Sequence, residues 1–562
     1  MFALTLVFSS LHNEQSQAST SYVSLSSQES QIVALVNGTR AYGYDLELEK
    51  IALNRSVSHF SFRSSGSAGA NATALWLKDK FAGFGLSTSF ESFEFTNWNL
   101  LGQPVLVVDE DGVTSTISDQ TLMGSFQSAH FSWPTSESGV FADLVVLPLP
   151  DAGSYSEIGA HQINTTLWDS IDTLDKVVLI GGEVRWNSSW EQVFHGKLSS
   201  QPPAAVVCTW WYSWMSFAPP FLSSVGGRPT SSMGAYYWNY TIPCGWVNYR
   251  DGELIREKED NANVSAKVVI PSVIASGPHY NVVGKLEGSA SPDKLVIVSA
   301  HYDTVLTAGF VDNGAGTAGV LELARVLTQA YREGVYSPNC TVVFVAFAGE
   351  ELGLVGAVNY VKQHKTEMED VVAVINLDCI GSDDLNVAKT DPGPDFDLDQ
   401  LILESASDLN VAAALTDSGG SDHEVFRNPS NGEGGFSYWW PGLSAGIGDA
   451  IPVASSTMLI SYPLSYSDVR TRGEPGWIHT SYDNSTSTQT LDWLEAASLE
   501  EHIKVAALSV MRISSSSQQA VEASGFPWWI VGVAAAGVIV AVTVATVYFV
   551  KVRRRSVKHV VQ

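Results

Sequence analysis

Hydrophobic residues in the C-terminal half of the chain occur as short continuous runs separated by longer amphipathic stretches. The runs KLVIVSA, TVVFVAFA and VVAVINLD are typical of strands buried on both faces, and the stretches between them repeat apolar residues at helical spacing. Strands and helices that alternate in this way form a sheet with helices packed against it. We therefore predict an α/β fold whose central sheet is mostly parallel and is covered by helices on both faces.

The pattern is different in the N-terminal half. Residues 26–99 favour helices, as in Ala72–Leu86, where apolar residues recur every three to four positions. Residues 100–266 carry short β-like runs such as PVLVV and KVVLIGG between polar and aromatic loops, which predicts a β-rich inserted domain. The α/β domain is then expected to cover residues 267–513, with residues 26–99 as its N-terminal helical part.

One segment near the C-terminus has the composition of a membrane span. Residues 527–550 contain no charged side chain, and as a helix they would be about 36 Å long, enough to cross a hydrocarbon core of about 30 Å. The tail 551–562 is basic, which predicts that it is cytoplasmic, and the small polar residues 514–526 favour a stalk. We predict a single-pass protein of the cell membrane, anchored in the lipid bilayer by one C-terminal transmembrane helix, with its folded domains outside.

Two other features bear on the compartment. Residues 1–25 contain a short apolar run without a basic flank, which makes a weak signal segment. Cys208 and Cys244 fall in the same predicted domain, where they form either a disulfide, if the compartment is oxidising, or two separate buried thiols.

Net charge excludes one class of partner. The formal net charge is -28 at pH 7, which argues against nucleic acid, because phosphate binding needs a basic surface. The sequence indicates no particular oligomeric state.

Acidic and imidazole side chains follow the predicted strands at their carboxyl ends. His301 and Asp303 follow the first run, Glu350 and Glu351 follow the second, and Asp378 ends the third. Ligands gather at the carboxyl ends of strands in such sheets. Imidazole and carboxylate groups are among the ligands that zinc takes in proteins. The arrangement predicts a metal site at this edge of the sheet.

Two further segments carry the same residue types. Asp312 lies in VDNGAG before a predicted helix, and His479 and Asp483 lie in IHTSYD. Each residue has an ordinary structural explanation when taken singly. Together, two imidazoles and three carboxylates suit a pair of zinc ions, and one of two adjacent glutamates can bind metal while the other acts as a base.

The motifs HYDT, VDNGAG, GEELGLVGA, NLD and IHTSYD, in this order, resemble the M28 family of zinc aminopeptidases and carboxypeptidases. The resemblance covers residues 273–513 and extends weakly to FRSSGSAG near the N-terminus. Residues 100–266 resemble the protease-associated insert that many members carry. The resemblance implies an exopeptidase, in the first place an aminopeptidase, that hydrolyses N-terminal residues of peptides through a hydroxide bound by two Zn²⁺ ions. Together with the predicted membrane span, this gives a membrane-anchored enzyme.

The resemblance also implies roles for individual residues. By this resemblance, His301 and Asp378 bind one zinc ion, and Glu351 and His479 bind the other. Asp312 bridges both ions, and Glu350 is the general base. It further implies that Asp303 hydrogen-bonds His301, that Asp483 acts similarly near His479, and that the Asp312–Asn313 peptide bond is cis. Co²⁺ and Mn²⁺ accept the same ligands.

Substrate-side residues and the type of activity are less sharply defined. His423 lies in SDHEVF, and its structural role is favoured over contact with substrate. Tyr438 and Trp439 either line an apolar pocket or form a packed loop. The alternatives are a carboxypeptidase or glutaminyl cyclase-like activity on the same scaffold, and a catalytically inactive receptor-like ectodomain. The complete set of five ligands and a base argues against the last of these.

Overall fold

The computed structural model describes most of the chain between residues 25 and 515. The described ranges are 25–54, 62–110, 113–118, 126–129, 132–152, 157, 160–186, 188–212, 241–261, 263–382, 385–389, 397–416, 421–427, 455–460, 478–479, 483–487 and 494–515. The predicted signal segment, stalk, membrane span and basic tail lie outside these ranges, as do Tyr438 and Trp439. Within the described ranges, every helix is too short or too polar to span a bilayer.

The chain alternates between strands and helices through most of the described ranges. The strands are β1 (Ser87–Leu100), β2 (Val105–Glu110), β3 (Val113–Ser118), β4 (Gln127–Ser128), β5 (Val140–Leu147), β6 (Val177–Gly181), β7 (Ala205–Thr209), β8 (Cys244–Trp246), β9 (Val264–Val269), β10 (Ser272–Leu286), β11 (Ser291–His301), β12 (Cys340–Phe347), β13 (Val371–Leu377), β14 (Leu385–Ala388), β15 (Ala413–Thr416) and β16 (Ser455–Ile460). The helices are α1 (Ser27–Val33), α2 (Gly38–Leu53), α3 (Ala68–Phe84), α4 (Thr165–Ser170), α5 (Ser188–Ser200), α6 (Tyr249–Asn261), α7 (Gly316–Arg332), α8 (Val355–Gln363), α9 (Leu398–Asp408), α10 (His423–Arg427) and α11 (Ala496–Ser515).

The first sheet has the strand order β1-β10-β12-β11-β13-β16-β14-β15. Its centre, β12-β11-β13-β16, is parallel, as expected from the continuous apolar runs. Its flanks are mixed, because β10 pairs antiparallel with both β1 and β12, and β14 pairs antiparallel with β16. The fold is therefore α/β with a mixed sheet, in which the centre and the outer β14–β15 pair are parallel.

Helices pack on both sides of this sheet. β12 and β13 lie on opposite sides of β11, so right-handed crossovers place α7 and α8 on opposite faces. α7 packs on β11 and β12 together with α11, whereas α8 packs on β10 and β1 and contacts α10. The carboxyl ends of β11, β12 and β13 consequently lie side by side at one edge.

Part of the predicted helical region is a strand. Residues 87–99 belong to β1, although they were predicted to be part of the N-terminal helical region. Side chains in Phe93–Leu100 alternate in large part between buried and partly exposed positions, and β1 pairs along its whole length with β10. The local sequence does not predict this long-range pairing, and the pairing decides the local structure.

Residues between β1 and β10 build a second sheet, here called the insert sheet, with the order β3-β2-β9-β5-β6-β7-β8-β4. Its strands β5, β6, β7 and β8 are parallel, and α4–α6 belong to the same segment. Its similarity to a protease-associated insert stays a prediction. Cys208 and Cys244 are free thiols whose sulfur atoms lie 3.9 Å apart, beyond the roughly 2.05 Å of a disulfide.

Candidate metal centre

Three neighbouring strand ends carry the predicted ligands to one place. His301 is the last residue of β11, and Asp378 follows β13 directly. After β12 the chain turns at Gly349, whose φ of +75° lies in the left-handed region that glycine adopts readily, and then presents Glu350 and Glu351. The parallel pairing of β11 with both neighbours thus converts three distant sequence positions into one cluster.

Asp312 is held above these strand ends by the segment Phe310–Ala315, which leads into α7. The predicted cis peptide bond between Asp312 and Asn313 is present. The Asn313 amide donates to the Leu377 carbonyl (2.9 Å), and its oxygen accepts from the backbone N–H of Cys379 (3.2 Å). These bonds fasten the segment to the end of β13 and fix the direction of the neighbouring carboxylate.

The predicted ligands form two groups that share one residue. His301, Asp312 and Asp378 make the first group, and Asp312, Glu351 and His479 make the second, with ligand atoms of each group within 4.8 Å of one another. His301 Nε2 lies 3.3 Å from Asp312 Oδ1 and 3.6 Å from Asp378 Oδ1. His479 Nε2 lies 3.0 Å from Asp312 Oδ2 and 3.2 Å from Glu351 Oε2. Asp312 therefore turns one oxygen toward each imidazole.

This geometry fits a pair of metal ions better than a set of hydrogen bonds. A ring nitrogen has a single hydrogen to donate, yet the Nε2 atoms of His301 and His479 each face two carboxylate oxygens. Ligand atoms about 2.0–2.1 Å from a tetrahedral zinc lie about 3.3 Å apart, which matches the distances found here. Glu351 Oε1 is buried and has no hydrogen-bond partner among the described residues, as suits an oxygen directed at a cation.

The electrostatics show a local shortage of positive charge. Burial disfavours the imidazolium form of His301, but Asp378 and Glu350 outweigh it and raise the pKa of His301 well above its usual value. Burial also opposes ionisation of Asp312, yet hydrogen bonds from His301 and His479 lower the pKa of Asp312. Every carboxylate in the cluster competes for the same two imidazoles, so a metal cation would relieve the competition.

Glu350 lies beside the cluster and in neither ligand group. Its Oε2 is 4.0 Å from His301 Nε2, and its side chain keeps 14% of its surface exposed. Burial raises the pKa of Glu350 well above its usual value, and the neighbouring Glu351 carboxylate adds to the rise. A proton-accepting carboxylate next to the ligands, reached by solvent, is placed as a general base requires.

The two supporting aspartates have partners that differ in part from the prediction. His301 Nδ1 lies 3.1 Å from the Asp303 carbonyl oxygen and 3.7 Å from its carboxylate, which instead accepts the Glu350 backbone N–H (3.1 Å). Asp483 accepts the backbone N–H groups of Val311 (2.7 Å) and Asp312 (3.3 Å). Burial raises the pKa of both carboxyl groups to about 7. Each aspartate thus holds the backbone of a site residue, Glu350 for Asp303 and Asp312 for Asp483.

His423 is fully buried at the start of α10, with Nε2 3.4 Å from Glu424 Oε1, and it joins neither ligand group. Asp422, next to it, was not singled out from the sequence. Its carboxyl group is fully buried, has no hydrogen-bond partner among the described residues, and acts electrostatically on the cluster. The sequence signal that could have pointed to Asp422 is the run of polar residues in SDHEVF just before the buried pair Val425 and Phe426.

Arg63 is a second residue that sequence reasoning missed. It is fully buried and donates to the backbone carbonyls of Tyr302 (3.0 Å), Ala308 and Gly309 (3.0 Å), which span the turn after His301. Its motif FRSSGSAG was noted, but a contact made across more than two hundred residues leaves no local signal.

Part of the chain is similar in sequence to known proteins. Residues 281–503 match peptidase family M28. A probable zinc metalloprotease of Pyrenophora teres f. teres is 35% identical over 148 residues, which cover 25% of this chain and 29% of that protein. A probable glutamate carboxypeptidase of Arabidopsis thaliana, LAMP1, is 30% identical over 188 residues, which cover 31% of this chain and 27% of that protein. The matched segments span less than a third of either relative.

The fold is also found among solved structures. The zinc aminopeptidase of Bacillus subtilis superposes with a TM-score of 0.58 at 20% identity, covering 86% of this chain and 96% of that structure. At this identity the likeness establishes the α/β fold and nothing about activity. Residues 281–503 are therefore similar in sequence to peptidase family M28, and all five predicted metal ligands lie within this segment.

Proposed function

We propose that this protein is a metallo-exopeptidase that hydrolyses peptides with the help of two zinc ions. The observation that carries the proposal is the Asp312 carboxylate, whose two oxygens face two different imidazoles in two overlapping ligand groups. One carboxylate shared in this way is the arrangement of a two-metal site, in which both ions act on the same substrate.

The residues of the site divide the chemical work between them. When bound, the zinc ions supply Lewis acidity, which acidifies a water molecule and polarises the scissile carbonyl. His301, Asp378, Glu351, His479 and Asp312 hold the metals. Glu350 takes the proton of the attacking water on a side-chain oxygen and passes it to the nitrogen of the leaving amine. Asp303 fixes the position of Glu350 by accepting its backbone N–H.

Aminopeptidase activity is the version of the proposal that the charges of the described residues near the site favour. A carboxypeptidase needs an arginine or lysine to bind the substrate's α-carboxylate. Arg63 packs beside the cluster but is fully buried and spends its donors on backbone carbonyls, so it offers nothing to a substrate. The carboxypeptidase alternative is supported by the resemblance to family M28 and by the name of the Arabidopsis relative.

We also propose that residues 527–550 anchor the protein in the cell membrane with the tail 551–562 in the cytoplasm. The support is the length of the uncharged segment and the basic cluster that follows it. Protease digestion of intact cells tests this topology. Digestion of the folded domains with protection of a C-terminal tag supports it, and the reverse pattern contradicts it.

The test of the enzymatic proposal combines metal content with peptide turnover on the full chain purified in detergent. Free and N-blocked peptides are compared on one sample whose zinc is measured. Release of N-terminal residues from free peptides alone, with about two zinc ions per chain, is expected. Cleavage at the C-terminus alone, with the same zinc content, would move the activity to carboxypeptidase. A chain that bound no zinc and cleaved no peptide would overturn the proposal.

A further inference from the structure

We propose that Arg63, which lies before α3 and outside the segment 281–503, is a positioning residue for the two-metal site. It fixes the loop 302–309, which joins the ligand His301 to the segment that carries the ligand Asp312. The inference rests on the proposed two-metal function. It names a residue that affects both ligand groups, because Asp312 belongs to both.

The loop 302–309 is buried but contains neither helix nor strand. No regular backbone pairing therefore supplies donors to its carbonyl groups, and buried carbonyls need them. Arg63 supplies three. Its Nε donates to the Tyr302 carbonyl (3.0 Å), and its two terminal nitrogens donate to the carbonyls of Ala308 and Gly309 (3.0 Å for Gly309). One guanidinium thus joins the first and the last residues of the loop.

Both ends of this contact are close to metal ligands in the chain. The first carbonyl belongs to the residue directly after His301. The last, that of Gly309, also accepts the Gly314 backbone N–H (2.9 Å), which closes the turn that carries Asp312. A guanidinium is planar and rigid, so it sets the separation of the carbonyls that it joins. Arg63 is fully buried, and its hydrogen bonds are shielded from competing water.

Arg63 is itself attached to the rest of the fold. Its backbone N–H donates to the Thr304 hydroxyl oxygen (2.9 Å). The Ser65 hydroxyl lies 2.9 Å from Nδ1 of His279 on β10, and Ser67 caps the N-terminus of α3. The helix α3 packs in turn on α7 and β10. Arg63 therefore holds the loop from a stretch of chain that is anchored independently of the ligands.

Replacement by lysine separates the geometry of Arg63 from its charge. The buried Asp45 carboxylate of α2 interacts electrostatically with Arg63, and Arg63→Lys keeps a positive charge for that interaction. A compact ammonium group cannot, however, donate to carbonyls at both ends of the loop. Both zinc affinities are therefore expected to fall by about tenfold, as they do when a group that orients metal ligands is lost.

Two measurements on the full chain in detergent report this effect. Zinc affinities are obtained by competition with a chromophoric chelator after the metal has been stripped. The visible absorption spectrum of the Co²⁺-loaded chain reports ligand geometry and is expected to change in Arg63→Lys. Both are recorded without denaturant on folded protein, so a variant that is only less stable would match the wild type in both.

Arg325→Lys is the matched control. Arg325 of α7 is also largely buried and donates to a backbone carbonyl, that of Leu35 (2.7 Å), but its other hydrogen bonds go to Glu322 and Gln329. It holds neither the loop 302–309 nor a ligand. Both zinc affinities and the Co²⁺ spectrum should stay at their wild-type values in this variant.

Thr304→Val is the second variant, for the case that Arg63→Lys does not fold. It removes the hydroxyl that accepts the Arg63 backbone N–H and is expected to weaken both zinc sites to a smaller extent. Wild-type affinities in Thr304→Val would then overturn the inference.

The outcomes separate the inference from the proposed function. A folded Arg63→Lys chain with unchanged zinc affinities, a fall confined to one zinc, or an equal fall in Arg325→Lys would overturn the inference alone. A wild-type chain that binds no zinc would overturn the proposed function and the inference with it.

Discussion

The first sheet and the insert sheet both place buried acidic side chains just beyond the ends of parallel strands. In the insert sheet, Glu183 follows β6 by two residues, is fully buried, and accepts the Trp211 backbone N–H (2.8 Å). Burial raises its pKa from 4.5 to about 7, and its Oε2 has no hydrogen-bond partner among the described residues. In the first sheet, the ends of β11, β12 and β13 bring several acids and an imidazole together.

The surroundings of the two acid sites explain their different chemistry. Around Glu183 the strand ends carry aromatic side chains. The ring centroids of Trp210 and Trp246 lie 5.2 Å apart, and Arg256 Cζ lies 4.2 Å from the centroid of the Trp211 ring. A single acid in such a setting can become neutral by holding a proton. The first-sheet cluster contains more carboxylates than its two imidazoles can satisfy. The comparison teaches that the number and mutual orientation of buried acids, more than burial at a strand end, distinguish a metal centre from a packed carboxyl group.

The largest expected effect comes from removing the shared carboxylate. Asp312→Ala takes one ligand from each group at once, so the chain is expected to fall from about two bound zinc ions to nearly none and to lose peptide turnover. Zinc content by atomic emission and turnover are measured on the same preparation. Glu183→Gln, a buried strand-end acid of the other sheet, is the matched control and should keep both zinc ions. If the Asp312→Ala chain retained two zinc ions, metal binding would no longer distinguish the acid cluster of the first sheet from Glu183 of the insert sheet.

A smaller effect on the site is expected from Glu350→Gln. The amide cannot accept the proton of the attacking water, so kcat should fall by about 10²- to 10⁴-fold. Zinc content should stay at the wild-type level, because Glu350 belongs to neither ligand group. Near-normal turnover in this variant would exclude Glu350 as the base.

The smallest effect concerns the insert sheet and is a change in stability with pH. The folded pKa of Glu183 is raised, so its protonated form stabilises the fold below about pH 4.5, and this contribution is lost as the pH rises through about 7. The rise from 4.5 to about 7 corresponds to about 3 kcal/mol. Glu183→Gln stays neutral, so its stability relative to wild type should increase by up to this amount between pH 4 and pH 8.

Urea denaturation of both chains at the two pH values, followed by tryptophan fluorescence, measures this difference. Glu287→Gln, which removes one exposed carboxylate, is the control for the change in net charge. A stability difference that does not change with pH would mean that Glu183 ionises as readily in the fold as in the unfolded chain, and the contrast between the two sheets would weaken.

Local sequence features predicted the centre of the first sheet and most of its site. The strands β11, β12 and β13 follow continuous apolar runs, and a switch to polar residues at a strand end is visible without a structure. The resemblance to family M28 supplied the order of the ligands and the cis peptide bond. Ordered motifs of this kind predicted which residues meet, because each motif lies at the end of a regular element.

Partners that depend on backbone direction or on distant pairing were not predictable in the same way. The strand β1 was grouped with helices because its pairing with β10 is decided nearly two hundred residues later. Asp483 was expected to support His479 and instead holds Val311 and Asp312, since nothing in a sequence states which N–H points at a carboxylate. Glu49 accepts the backbone N–H of Ser485 across 436 positions, and neither residue type is unusual at its place.

The long ladder between β1 and β10 has a consequence for how such a protein can change over generations. Leu100 and Ser272 face each other at its end, and the Leu101 backbone N–H donates to the Pro271 carbonyl (2.6 Å). The two ends of the segment 101–271 therefore lie next to each other at the end of the ladder. Joining the two strands directly would leave an ordinary β-hairpin that needs only a short turn. A gene segment encoding residues 101–271 can therefore be gained, lost or exchanged as a unit while the ladder keeps its register.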